Sequence, residues 1–225
     1  MFLVNRPSAL IQILAIFLVL MLLAACATGP AGLLRPNGVV VAPDGSLYVM
    51  DRGNYRIAHL SASGQRLDAF GQLGVDPGDI YSGWDIDLDA AGNVYICNQV
   101  RAEEGASHFW DGLEIFSPAG QFQRSLGAQT YAYDDEHINA PYGLDIDGQG
   151  RVYVADFDGS AVRVFSAQGD LLARLDGEAH QFGDPTDVAI DDQRQLLYIA
   201  DPLTARSTSQ PQPDRVGRTH RHPSP

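Results

Sequence analysis

Apolar positions in this chain come in short runs separated by turn signals. Val39-Val40-Val41 is followed by Pro43-Asp44-Gly45 and then by a returning run, Leu47-Tyr48-Val49-Met50. Runs this short, bounded by Gly, Pro and Asp, predict strands. Gly45 can take the positive φ that a tight hairpin needs. A second pair follows, Ile57-Ala58-His59-Leu60, a turn at Ser63-Gly64, and the stretch Gln65 to Phe70. The outer pair recurs as Leu113 to Phe116 with a turn at Ala119-Gly120, and as Val162 to Phe165 with a turn at Gln168-Gly169.

The whole unit repeats. Segments starting at Pro36, Gly83, Pro141 and Pro185 align through an apolar run, a turn and a second run ending in Asp51, Asn98, Asp156 and Asp201. Their shared tyrosines, Tyr48, Tyr95, Tyr153 and Tyr198, lie 47, 58 and 45 residues apart. Four short strands per unit need a period of roughly 40–50 residues. A single sheet cannot bury both faces, so the units must stack. The units span 36–82, 83–140, 141–184 and 185–201. The pattern, clearest from Pro141 to Phe165, resembles the NHL repeat. That resemblance implies a fold class that is all-β, a partial β-propeller of NHL-type four-stranded blades.

The fourth unit is expected to stop after two strands, at Asp201. Beyond it the charge turns basic, with Arg206, Arg215, Arg218 and Arg221 against Asp214, and no strand periodicity is visible. Residues 202–225 are therefore expected to form a disordered tail. About three and a half blades result. A truncated or frame-shifted reading frame, assembly of several chains into one ring, or an error in the sequence would each account for the count, and the abrupt change of composition favours the first. An open array leaves apolar faces and strand edges exposed, which invites self-association.

The N-terminus has a different pattern. Arg6 precedes an apolar run, Ala9 to Ala25, interrupted only by Gln12. This is the layout of a secretory signal, expected as a helix over residues 1–25. The run ends Leu23-Ala24-Ala25-Cys26, which resembles the bacterial lipobox. The resemblance implies cleavage before Cys26, lipidation of Cys26 and a tether over 26–35. Two or three acyl chains, at about 0.8 kcal/mol per buried methylene, anchor stably where one holds marginally. Ala27 after the cysteine is similar to outer-membrane sorting in Gram-negative cells. An uncleaved membrane span is the competing reading, although the run is at the short limit for one.

Net charge is −13, from 28 acidic and 15 basic residues. That balance disfavours nucleic acid and favours cations or basic surfaces, and it also serves solubility. The turns joining first to second and third to fourth strands are tight, while the opposite set of connections is long and varied. Long connections on a rigid scaffold carry binding more often than tight turns do, so ligand contact is expected on that face. Its inner ring is predicted to be Asn37, Trp84, Tyr142 and Thr186, followed by the strand-end residues Asp51, Asn98, Asp156 and Asp201. Trp84 and Tyr142 offer flat area with a polar edge, or else pack the channel mouth. The strand-end carboxylates accept backbone N–H bonds in the competing reading. The stretch from Asn98 to Leu113 predicts an enlarged loop that brings His108, Phe109 and Trp110 to the same face, as a contact patch or as a cover for the blade edge.

Ligand classes follow. Tyr131 to His137, with Asp76 and Asp79, supplies oxygen ligands for a hard cation such as Ca²⁺, without any fixed spacing to support it. Related propellers include metal-dependent amidating lyases and lactonases, so a lyase or hydrolase with an incomplete site is one function the resemblance implies. None of the six histidines sits on an innermost strand or repeats between units, and no catalytic metal is assigned. Cys97 reads as a small buried thiol. The residues favour a binding or scaffold module for a protein, peptide or glycan, with no cofactor, exported and lipid-anchored.

Overall fold

The computed structural model describes residues 32–100, 110–130, 137–176, 182–202 and 206–211. They form four antiparallel sheets, each a meander in chain order. Blade one holds β1 (Val39–Val41), β2 (Leu47–Asp51), β3 (Arg56–Leu60) and β4 (Arg66–Phe70). Blade two holds β5 (Gly83–Leu88), β6 (Val94–Val100), β7 (Trp110–Phe116) and β8 (Phe122–Thr130). Blade three holds β9 (Pro141–Ile146), β10 (Val152–Asp156), β11 (Ala161–Phe165) and β12 (Leu171–Asp176). Blade four holds β13 (Asp187–Asp191), β14 (Leu196–Asp201) and β15 (Arg206–Pro211). The described residues contain no α-helix, only a short 3₁₀ turn at Arg52–Asn54.

The turns are built as the residues require. Gly45, Gly92 and Gly150 each adopt positive φ between first and second strands. Beside them a turn carboxylate accepts the backbone N–H groups that the bend leaves unpaired. Asp89 Oδ1 takes Ala91 and Asn93, and Asp147 Oδ1 takes Gln149 and Arg151. Short polar side chains favour turns for this reason.

Blades two and three each bury one face against the blade before and one against the blade after, and blades one and four each bury one face this way. Tyr48, Met50 and Ile57 of blade one pack on Ile86, Val94, Ile96 and Phe116 of blade two. Tyr95, Cys97, Leu113 and Ile115 pack on Leu144, Val152, Val154 and Phe165. Tyr153, Ala155, Val162 and Val164 pack on Val188, Leu197 and Ile199. The motif tyrosines thus occupy equivalent second-strand slots, on the face each blade turns to its successor. Tyr48, Tyr95 and Tyr153 are buried, whereas Tyr198 is 39% exposed because no described sheet follows blade four.

Two strand boundaries differ from expectation. The fourth blade does not end at Asp201: β15 pairs with β14 in continuous register, from Leu196↔Pro211 to Asp201↔Arg206. Arg-Ser-Thr-Ser-Gln-Pro has no apolar alternation, so hydrophobic periodicity is silent there. The backbone of β14, with one edge open, selects the pairing. The remaining tail residues, 203–205 and 212–225, lie outside the described set, as do the signal segment, Cys26 and most of the tether. The enlarged loop is also shorter than expected, since β6 runs on to Val100 and β7 starts at Trp110, paired with Val100 and Thr130. Trp110 is therefore a strand residue. Asp111 closes this extension by accepting the N–H groups of Val100 and Ala140. His108 and Phe109 lie outside the described residues.

Candidate functional site

The strand-end residues tie down the chain leading into each blade. Asp51 accepts the Leu34 N–H at 2.6 Å, and Asn98 accepts those of Tyr81 and Ser82 at 3.1 and 3.2 Å. Asp156 accepts the Asn139 N–H and Asp201 that of Gly183, both at 2.7 Å. All four side chains are buried. Asp51 also receives Arg56 at 2.8 Å, and Asp156 receives the buried Arg163 at 2.6 Å. Of the two roles the sequence offered them, the geometry is that of the blade-shaping one. The lead-in backbone would otherwise be buried unpaired, which is costly.

One residue before each anchored amide stands an apolar side chain: Leu33, Ile80, Ile138 and Phe182. Ile80, Ile138 and Phe182 are buried in the three gaps between blades. Leu33 packs on Val49, Ala58 and Leu60. Sequence reading missed these plugs, although each lies three residues before Pro36, Gly83, Pro141 or Pro185.

The predicted inner ring divides. Trp84 and Tyr142, from successive blades, come together with ring centroids 4.5 Å apart. Tyr142 meets Phe157 at 4.8 Å. The Arg52 guanidinium lies 3.9 Å from the Trp84 ring centroid and donates to Ser82 Oγ at 3.0 Å. The result is a row, Arg52–Trp84–Tyr142–Phe157, crossing three blades. Asn37 and Thr186 do not join it; Thr186 bonds back to the Ala200 carbonyl. Arg52 and Phe157 were not foreseen. Both directly follow a strand-end Asp, and the same position in blade two is Gln99, whose Nε2 donates to the Pro141 carbonyl at 3.1 Å. That recurring place is the signal that could have found them. The Trp84 indole N–H is buried and has no acceptor among the described residues. The residues bridging β6 to β7 and β8 to blade three, 101–109 and 131–136, lie outside the described set.

A second group also escaped the sequence reading. Asp85, Asp87, Asp145 and Asp187 alternate with apolar residues on the innermost strands, and the first three link one blade to the next. Asp85 accepts the Leu144 N–H at 3.0 Å, Asp87 that of Ile146 at 2.9 Å, and Asp145 that of Ile190 at 2.6 Å. Burial pushes Asp85 up to about 6, with Asp187 and Asp145 adding repulsion against the amide bonds that lower it. Burial likewise pushes Asp87 up to about 7, with the charge of the neighbouring Asp145 adding to the rise, and Asp145 is itself raised by burial. Asp187 is also raised by burial. Protonation within this column relieves the repulsion between like charges packed on adjacent strands.

Cys97 is fully buried, and burial followed by the nearby Asp85 and Asp187 keeps its thiol protonated. Its reactivity is correspondingly low. Among the described residues no group of three or more His, Cys, Asp or Glu side chains is arranged to hold a metal ion. Asp79, one of the residues considered for Ca²⁺, accepts instead from Gln72 and the Asp76 backbone. The arrangement suits contact with a flat or apolar ligand flanked by a polar group, through the aromatic row.

Four-stranded antiparallel meanders stacked face to face in chain order define the β-propeller class. Residues 33–60 match the family model described as the NHL repeat. The Protein brain tumor of Drosophila melanogaster is 25% identical over 164 residues, covering 70% of this chain and 14% of that protein. The solved nidogen/laminin complex aligns with a TM-score of 0.57 at 20% identity, over 78% of this chain and 60% of that one. A protein of unknown function from Bacteroides caccae aligns with a TM-score of 0.56 at 15% identity, over 74% and 56% respectively. The chain thus spans a small part of its curated relative and rather more than half of these solved structures.

Proposed function

We propose that this chain is an exported, lipid-anchored propeller module that binds a protein, peptide or glycan through the Arg52–Trp84–Tyr142–Phe157 row. The observation that carries this reading is the row itself. Aromatic rings of blades two and three meet in tilted contacts at the lead-in ends of the sheets, with an indole N–H left without an acceptor among the described residues. Tyr and Trp are enriched at interfaces because they combine apolar area with a polar handle. The nidogen/laminin structure, a complex between proteins, supports protein binding on a sheet array of this kind. Anchoring rests on the Leu23-Ala24-Ala25-Cys26 sequence and outer-membrane placement on Ala27.

The test uses the two tryptophans, Trp84 and Trp110. A Trp110→Phe variant leaves Trp84 as the single reporter while peptide and glycan arrays are screened with the purified chain. A bound hit should shift Trp84 emission, and Trp84→Ala should weaken it by about thirtyfold, as expected for an aromatic hot spot worth about 2 kcal/mol. Hits that Trp84→Ala and Tyr142→Ala retain at full affinity refute the row as the binding site. Radiolabelled palmitate incorporated into the wild type and absent from Cys26→Ser would support the anchor.

A further inference from the structure

The two ends of the blade array are the two halves of one interface, and that interface already occurs three times within the chain. Each junction joins the second-strand tyrosine of one blade, with the small or slim residue two places on, to apolar positions on the first and second strands of the next. On blade four the forward half is bare: Tyr198 is 39% exposed, and Ala189 and Ala200 are exposed beside it. On blade one the first-strand edge of the receiving half is bare, whereas Val49, Ala58 and Leu60 behind it are buried beside Leu33. Val39 and Val41, the equivalents of Ile86 and Leu88 in blade two, are 61% and 64% exposed. Leu33, the plug equivalent to Ile80, Ile138 and Phe182, is in place on blade one but only half-buried, because nothing packs on it from the other side.

Two details at the axis specify what completes the junction. The third residue counted from Pro36, Gly83, Pro141 and Pro185 alternates: Gly38, Asp85, Gly143, Asp187. The glycines are required by close approach. A Cβ on Gly38 would lie 2.7 Å from Asp85 Oδ1 and 2.9 Å from the Ile86 nitrogen. On Gly143 it would lie 2.5 Å from Asp187 Oδ1 and 2.7 Å from its Cα. Asp85 in turn reaches forward to the amide just after Gly143, that of Leu144. Asp187 holds its own next amide, Val188, through Oδ1 at 2.9 Å, as Asp145 holds Ile146. Its Oδ2 has no partner among the described residues, where Asp85 and Asp145 each use Oδ2 on the following blade. The alternation therefore asks for a glycine-bearing strand after blade four, and the amide after that glycine would complete Asp187. Gly38-Val39 of another copy meets both requirements.

We propose that two copies of this chain pack head to tail, blade four of each against blade one of the other. Tyr198 and Ala200 cover Val39, Val41 and Leu33 of the second copy, and Asp187 accepts the N–H of its Val39. The contact is heterologous, so two such contacts close a ring. Eight blades lie within the range propellers adopt, roughly four to eight.

The experiment is sedimentation velocity of the full chain in a density-matched non-ionic detergent, over a range of concentrations. The wild type should sediment as two copies. Val41→Asp and Tyr198→Asp should each give single copies, with circular dichroism verifying that the sheets are intact; both positions are exposed in the single chain. Mixing these two variants should restore a two-copy species, since one bare front and one bare back survive. Asp187→Asn should weaken association several-fold without abolishing it. A single-copy wild type would overturn the proposal, leaving the free faces to another protein or to further blades. So would a two-copy species that survives Tyr198→Asp, because it would have to pack front to front.

Discussion

Glu114 is fully buried in β7, where it accepts the Gly78 N–H at 3.3 Å and the Ser125 hydroxyl at 3.2 Å. Burial pushes its carboxyl up to about 8, from 4.5 in the open chain. The folded protein therefore binds this proton more tightly than the unfolded one. The stabilisation is complete below about pH 4.5 and is lost as pH rises through about 8, at about 1.4 kcal/mol per pH unit within that window. Glu114→Gln keeps Oε1 as acceptor for the Gly78 N–H, lets its Nε2–H donate to the Ser125 hydroxyl, and removes the titration. Urea midpoints should converge at acid pH and favour the variant increasingly towards pH 8. An unchanged pH slope would exclude Glu114 as the cause. From the chain alone, Glu114 reads as an ordinary charged residue of an outer strand. What buries it is the lead-in chain at Gly78, contributed from 36 residues away.

At the scale of elements, strands bounded by glycine-containing turns such as Asp44-Gly45 and Ser63-Gly64 and built from clustered apolar residues were legible from sequence, because both signals are local. The ones that were not legible, β15 and the extension of β6 into β7, are chosen by pairing across the sheet. The innermost strands were read as apolar, and their alternating carboxylates passed unnoticed, since a charge beside Ile or Leu ordinarily faces solvent. Here Asp85, Asp87 and Asp145 instead clasp the next blade's amides. The closeness of that packing can be tested at Gly143. Gly143→Ala would set a methyl group against Asp187 Oδ1, its Cα and the Thr186 carbonyl, 2.5–3.0 Å away, and blades three and four must part. The expected cost is about 1–3 kcal/mol, as for other overpacked sites, together with faster amide exchange in β13. A variant as stable as the wild type would show that the junction gives way easily.

Across the whole molecule, the carboxylate column makes blade stacking sensitive to pH. Asp87 is raised by burial from 3.8 to about 7, so the stability it confers is present below about pH 4 and fades as pH climbs to about 7. Ionising it places a second negative charge beside Asp145. Asp87→Asn, which stays neutral, should raise the melting temperature at pH 8 and leave it nearly unchanged at pH 4. A decrease at both would show that the carboxyl serves as an acceptor only. The candidate binding row belongs to this scale too. Trp84 and Tyr142 could be singled out as aromatics at matching places in two repeats, but Arg52 joins Trp84 across a blade junction and Phe157 joins Tyr142 from the far end of β10.

The chain by itself determined the strand repeat, the tight turns, the tyrosine slots and the residues that end each second strand. These depend on near neighbours: φ preferences, apolar runs, and a period recurring across four units. Only the tertiary arrangement decided that the strand-end carboxylates are spent on lead-in amides, that four carboxylates line the inner strands, and that Tyr198 stands exposed while Tyr153 is buried. Those outcomes depend on which sheet lies against which. A residue's solvent and hydrogen-bond partners are then supplied by a neighbouring blade some fifty residues away, beyond the reach of any local pattern.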